Sequence, residues 1–218
     1  MVETSEATIP SIPINSYQTA LCIFPPSDRE EEINRLRSLY DKAYTRWPPH
    51  MNIVYPFVPV DRLSEAIERI CTELAKIRWK GGDDAKLELC LNTAGYFPSR
   101  HKNTVYISPR DYTSHVCENA IERADWETGS GYPDLHWLRE VLMKALGHPS
   151  KIGSFNPHLT LATITPQNTE LLDALLSKAR LLLPLHWDVR ELHIMTRLPS
   201  GKLVMHKTLK LTGEKTTI

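Results

Sequence analysis

The chain has 218 residues, 41% of them hydrophobic, which is enough to bury a core of one domain or two small lobes. Its 26 Lys+Arg balance 26 Asp+Glu, which excludes holding a long polyanion by counterion release. No apolar run approaches the roughly 18 residues that span a bilayer, no signal-type stretch opens the sequence, and Cys22, Cys71, Cys90 and Cys117 are too widely spaced for a metal knuckle or disulfide framework. A cytoplasmic or nuclear protein with reduced core cysteines is the expectation.

Residues 1–16, rich in Thr, Ser, Pro and Glu, are expected to form a flexible arm. A first strand over residues 17–24 stops at Pro25-Pro26, and Ser27 with Glu30 forms a capping-box signature. It opens a helix with Ile33, Leu36, Tyr40, Ala43 and Trp47 at helical spacing. Residues 49–59 read as a strand. Asp61 is placed to cap a second helix whose Leu63, Ile67, Ile70, Leu74 and Ile77 share a side. After the break at Gly81-Gly82, strands are predicted over residues 86–97 and 104–108. Residues 111–131 have no clear period, and residues 128–133, including Tyr132, read as a loop. A helix follows from Asp134, with Leu135, Leu138, Val141, Leu142 and Ala145 on its apolar face and Gly147 closing it. A strand over residues 156–164, a helix opened by Thr165-Pro166, and strands over residues 185–197 and 202–211 complete the order. Residues 17–211 form a single bilobal domain in this reading, and residues 212–218 a tail. The two halves repeat one strand and helix order, so the fold class is α+β with two pseudo-symmetric lobes.

Each half carries one chemically informative tetrad: His50-Met51-Asn52-Ile53 and His158-Leu159-Thr160-Leu161. In a strand the first and third residues share a face, so each tetrad buries two apolar side chains and presents an imidazole beside a hydrogen-bonding residue. Imidazole titrates near neutrality and serves as acid or base. Two of them facing across a cleft would activate water on one side of a phosphodiester and protonate the departing oxygen on the other. Asn52 and Thr160 would donate to the nonbridging oxygens, where charge grows in the transition state. A zinc pair is the weaker reading, because no third ligand stands at a recognisable spacing.

These tetrads, with Gly95-Tyr96-Phe97-Pro98-Ser99-Arg100 before Val105-Tyr106-Ile107, Leu135-His136-Trp137-Leu138-Arg139, and Val189–Met195 with the Pro199-Ser200-Gly201 turn, resemble the two-histidine (2H) phosphoesterase superfamily. The likeness runs over roughly residues 17–211 and points to the branch of RNA 2′,3′-cyclic phosphodiesterases first described as 2′–5′ RNA ligases. It implies two lobes with antiparallel sheets facing a central cleft and helices outside. It also implies opening of a 2′,3′-cyclic phosphate, on an RNA end or nucleotide, to a 2′-phosphomonoester, with neither cofactor nor metal. Trimming of RNA from 3′ to 5′, 2′–5′ joining, or a catalytically weak nucleotide-binding module are the alternatives. Asn52 departs from the Thr or Ser usual in the family's first motif.

Phe97 is a candidate to stack on a nucleobase at the cleft edge. Arg197 ends a strand where the family keeps a polar or basic residue near the phosphate, and a guanidinium there would clamp an oxygen. Tyr55 and Phe57 read as core by strand parity. His101, His115, His148, His186 and His206 are expected to face solvent, and His136 and His193 to be packed. The substrate partner is a nucleotide or RNA end, and a monomer that binds no membrane is expected.

Overall fold

Two stretches that read as single strands each break after five residues and change sheet. In the computed structural model, which describes residues 10–77, 79, 85–109, 135–148 and 155–216, residues 86–97 become β3 and β4, and residues 185–197 become β7 and β8. The described elements are β1 (Thr19–Ile23), α1 (Ser27–Tyr40), β2 (Met51–Val54), a 3-10 turn (Val60–Arg62), α2 (Leu63–Leu74), β3 (Leu87–Leu91), β4 (Thr93–Phe97) and β5 (Asn103–Ser108). They continue with α3 (Leu135–Ala145), β6 (Leu159–Ile164), α4 (Thr169–Leu181), β7 (Leu185–Val189), β8 (Glu191–Arg197), β9 (Leu203–Lys210) and β10 (Lys215–Thr216). The expected loop at residues 128–133 with Tyr132, the unassigned stretch before it, His115 and Cys117 lie outside the described residues.

The large sheet has eight strands in the order β10-β9-β8-β1-β2-β6-β5-β4, and β3 pairs with β7 in a second sheet. All pairings are antiparallel. The α+β, two-lobed architecture is therefore present. Its pseudo-twofold relates β8-β1-β2 to β4-β5-β6 and passes between β2 and β6, so the half-sheets are joined edge to edge. Each half of the chain gives its last strand to the other: β4 joins β5 and β6, and β8 joins β1 and β2.

The sheet switches make that exchange possible. β3 and β7, which correspond under the twofold, pair with Leu89 opposite Trp187, and single residues, Asn92 and Arg190, then turn the chain into the large sheet. Alternation persists across such a link, which is why the sequence reads as one strand.

One face of the large sheet buries Leu21, Ile23, Met51, Ile53, Val105, Ile107, Leu159, Leu161, Leu192 and Ile194 against apolar sides of the helices, including Ile33 and Leu36 of α1 and Leu172 and Leu175 of α4. The opposite face is covered on its β1–β8 side by a smaller cluster of Ala20, Cys22, Trp47, Met195 and Leu203. The tetrad histidines lie on this opposite face.

Several termini differ from the sequence reading. Residues 10–16 of the expected arm pack onto the body: Ile12 is fully buried, its N–H donates to Leu146 O at 2.9 Å, and His148 Nε2 donates to Ile12 O at 2.6 Å. His148 is accordingly engaged, whereas His101, His186 and His206 are exposed. The tail forms a turn and β10, with Lys215 opposite Leu209. Pro26, not Ser27, occupies the N-cap of α1, and no side chain caps it. Asp61 sits in the 3-10 turn, and Asn168 rather than Thr165 caps α4, accepting from Leu171 N at 3.1 Å. Gly147 closes α3 as expected, with φ of 79° and His148 N donating to Met143 O at 2.9 Å.

Candidate active site

His50 immediately precedes β2, and His158 immediately precedes β6. Met51 stands opposite Leu159 in the antiparallel pair, and both are buried on the helix side. One residue to either side, His50 falls opposite Thr160 and Asn52 opposite His158, with all four on the face away from the helices. Directly opposed residues have Cβ atoms roughly 4.5–5.5 Å apart and diagonal ones roughly 7–8 Å. The imidazoles therefore occupy a diagonal of a four-residue square, close enough that the charge of His158 is felt at His50.

Both rings are held in the same way. His50 Nδ1 donates to Pro48 O at 2.9 Å and His158 Nδ1 donates to Asn156 O at 2.7 Å. A carbonyl can only accept, so the proton of each neutral ring sits on Nδ1 and each Nε2 presents its lone pair to the shared face. Burial is the main cause that pushes His50 down to about 4 and lowers His158 from its ordinary value; the carbonyl bonds oppose it. Both are neutral at neutral pH and take up a proton more readily once an anionic phosphate lies beside them.

The surroundings then diverge. Trp47 stacks on His50 with centroids 4.0 Å apart and planes at 17°. Below it lies a buried ion pair, Arg37–Asp41 at 2.8 Å, with side chains only 2% and 3% exposed. Arg37 also donates from Nη2 to Trp47 O at 3.0 Å and from Nη1 to Asn34 Oδ1 at 3.1 Å. The guanidinium fork thus fixes the loop that carries both the Trp47 ring and His50. Asn52 Nδ2 donates to His50 Nε2 at 3.4 Å, and its Oδ1 is buried with no partner among the described residues. Its amide is therefore aimed at the imidazole, whereas the sequence reading aimed it at a phosphate oxygen.

Around His158 the rings meet edge to face: Phe97 at 4.9 Å and 78°, Tyr106 at 5.6 Å and 61°. Phe97 and Tyr106 stack on each other at 4.2 Å. Tyr106 stands opposite Thr160 on one side and Gly95 on the other. A Cβ at residue 95 would come 2.8 Å from the Tyr106 Oη, so glycine lets this ring lie across β4.

Phe97 is thus beside His158, half-buried. Arg197 lies elsewhere: its guanidinium binds Tyr17 O, Gly201 O and the Tyr55 hydroxyl at the rim of the face. Tyr55 is 36% exposed, contrary to the core placement, because β2 ends at Val54 and strand parity no longer governs the next residue; Phe57 is buried as expected. Trp47 and Tyr106 were not singled out from sequence. Tyr106 had a usable signal, since it shares strand parity with a face that Gly95 leaves open; Trp47 had none, because a loop delivers it. His193 is packed as expected, stacked on Phe24 at 4.3 Å and bonded to Thr208 Oγ1 at 3.3 Å, and burial pushes it down to about 4. Cys22 and Cys71 are buried thiols, and Cys90 is half-exposed. Among the described residues, no group of three or more His, Cys, Asp or Glu is placed to hold a metal ion, and no helix is long and apolar enough to cross a membrane.

Two histidines at the entry to the paired central strands of a two-lobed antiparallel fold define the class of two-histidine phosphoesterases. A family model described as the 2′-5′ RNA ligase superfamily matches residues 24–201, and the chain belongs to that superfamily. A protein of Geobacillus kaustophilus provisionally named a phosphoesterase is 24% identical over 204 residues, covering 90% of this chain and 97% of that protein. One of Bacillus cereus, named in the same way, is 24% identical over 195 residues, covering 88% and 95%. Among solved structures, E. coli LigT complexed with 3′-AMP superposes with a TM-score of 0.51 at 16% identity, covering 91% of this chain and 99% of that one. LigT complexed with NADP+ gives 0.50 at 17% identity, with the same coverages of 91% and 99%. The LigT likeness establishes the fold; membership of the superfamily supports a phosphodiesterase-type activity on RNA.

Proposed function

We propose that the protein is a metal-independent phosphodiesterase that opens 2′,3′-cyclic phosphates of RNA ends or nucleotides to 2′-phosphomonoesters. The observation that carries this reading is the diagonal pair of imidazoles, each with Nδ1–H tied to a carbonyl and Nε2 turned to a common face. His158 Nε2 takes a proton from water as its oxygen bonds to phosphorus; the bond from phosphorus to O3′ breaks, and His50, protonated in the bound state, returns a proton from Nε2 to O3′. The hydroxyl of Thr160 donates to a nonbridging oxygen. Asn52 holds the His50 ring through Nε2 until the proton arrives. The complex of E. coli LigT with 3′-AMP is consistent with a nucleotide at such a face.

Turnover of a 2′,3′-cyclic mononucleotide in excess chelator, with phosphomonoester isomers separated by chromatography, tests the reading. The wild type should give the 2′-phosphate, and His50→Ala or His158→Ala should each lose roughly a hundredfold or more. Activity abolished by chelation, or undiminished in either variant, removes it. Binding without product identifies a nucleotide-binding module instead.

A further inference from the structure

The square and its aromatic neighbours leave a distinct cluster unexplained at the rim, where β1 begins and β2 and β8 end. Arg197 donates from Nε to Tyr17 O at 3.1 Å, from Nη1 to Gly201 O at 2.9 Å and from Nη2 to the Tyr55 hydroxyl at 3.2 Å. All three acceptors are neutral, and among the described residues no carboxylate pairs with this guanidinium. The side chain is therefore fixed in position while its charge stays uncompensated. Beside it Tyr17 is 63% exposed and Tyr55 36% exposed. They meet edge to face at 5.5 Å and 84°, an arrangement that leaves ring surface free to stack on a third aromatic group. Tyr55 in turn meets the edge of Trp47 at 5.7 Å and 89°, and Trp47 stacks on His50. A fixed cation and two open rings thus stand two ring contacts from an imidazole of the square.

A ligand that uses both features carries a planar aromatic group and an anion one repeat away from the reacting phosphate. We propose that Tyr17, Tyr55 and Arg197 form a second nucleotide subsite, and that the preferred substrate is a short oligonucleotide. The neighbouring nucleotide stacks its base on the tyrosines and sets its phosphate on Arg197. This rests on the phosphodiesterase reading for what occupies the square, but the rim cluster binds its nucleotide whether or not the square turns over. The neutral overall charge suits such a site: one placed cation recognises one phosphate of an RNA end without attracting a long polymer.

The test compares two ligands, a 2′,3′-cyclic mononucleotide and a tetranucleotide with a 2′,3′-cyclic end, in the wild type, Tyr17→Leu, Arg197→Gln and Arg197→Lys. Affinity is read by calorimetry at several salt concentrations, and turnover separately. The tetranucleotide should bind the wild type more tightly than the mononucleotide. Tyr17→Leu should weaken the tetranucleotide about tenfold more than the mononucleotide, the scale of one lost base stack. Arg197→Gln should do the same and reduce the logarithmic salt slope by about 0.7, as for one phosphate contact on a single strand; Arg197→Lys should keep that slope. Equal weakening of both ligands, an unchanged slope in Arg197→Gln, or no wild-type preference for the tetranucleotide overturns the proposal. If neither ligand turns over but these affinity differences persist, the phosphodiesterase reading falls and the subsite stands.

Discussion

The His50 and His158 halves of the face share a backbone frame and differ in nearly everything around the ring. Under the pseudo-twofold, His50 corresponds to His158, Asn52 to Thr160, Cys22 to Tyr106 and His193 to Gly95. The frame repeats down to the Nδ1 bond with a carbonyl two residues upstream. Around His50 lie a stacked indole, a buried ion pair and an amide on Nε2; around His158 lie two ring edges and a threonine. A duplicated scaffold supplies two converging imidazoles, and the unequal surroundings let one do what the other does not. Acid–base chemistry needs that inequality, because one ring must give a proton while its partner takes one.

The largest break in the comparison comes from the buried ion pair that, among the described residues, lies beneath His50 and has no counterpart at His158. Arg37→Met leaves Asp41 charged and unpaired in a buried site, and loss of one partner of a buried pair costs about 3–5 kcal/mol. A large fall in Tm is the expected outcome. Adding Asp41→Leu should recover much of the stability, since a matched apolar pair replaces the charges. Turnover should not recover with it, because Trp47 O still lacks the donor that fixes the loop carrying His50. Thermal melts and kcat measured on the single and double variants separate the two effects; turnover that recovers with stability would reduce Arg37 to a purely structural residue.

A smaller break falls on the other half. Gly95→Ala places a methyl 2.8 Å from Tyr106 Oη and 2.9 Å from its Cζ, so the ring must swing off β4 and take its contacts with Phe97 and His158 with it. Overpacking of this kind costs about 1–3 kcal/mol. KM for the cyclic mononucleotide should rise several-fold, and Tyr106→Ala placed on top of Gly95→Ala should add little further loss. Additive losses would mean that Gly95 acts through something other than this ring.

How these halves read from sequence differs for a physical reason. The tetrads were legible because alternation within one strand already puts His50 with Asn52 and His158 with Thr160. The packing of His193 and the closing glycine Gly147 followed from equally local rules. What was not legible depends on chain reversals between strands. A single residue, Asn92 or Arg190, carries the chain from one sheet to the other without disturbing alternation, so β3 and β4 read as one strand. Arg37 lies on α1 among charged residues, and only the loop folding back through Trp47 makes it a buried anchor. Asn52 was placed on the right face, but its contact with His50 Nε2 was not foreseen, because a strand pattern gives direction and not the rotamer of an amide.

That residue offers the smallest change and the sharpest one. Asn52→Thr gives the first tetrad the same polar residue as the second, and a threonine hydroxyl, on a shorter side chain than the amide, does not span to His50 Nε2. It removes a donor to the neutral ring and a buried acceptor that has no partner among the described residues. The neutral form of His50 loses a hydrogen bond, so its pKa rises from about 4 toward the ordinary histidine range. The reaction needs one imidazolium and one neutral imidazole, and with both pKa values lowered in the free protein, kcat/KM should peak on the acid side of about pH 6.5 and fall as pH rises. In Asn52→Thr the alkaline limb should move to higher pH, with activity near neutrality kept or raised. Stability carries the same sign: a buried neutral His50 favours folding above the unfolded pKa of about 6.5, and that contribution is lost as pH falls toward the folded value of about 4. The acid-unfolding curve of the variant should therefore be shallower over this window. A pH–rate profile that does not move, or moves toward acid, would show that the Asn52 amide does not hold His50 neutral.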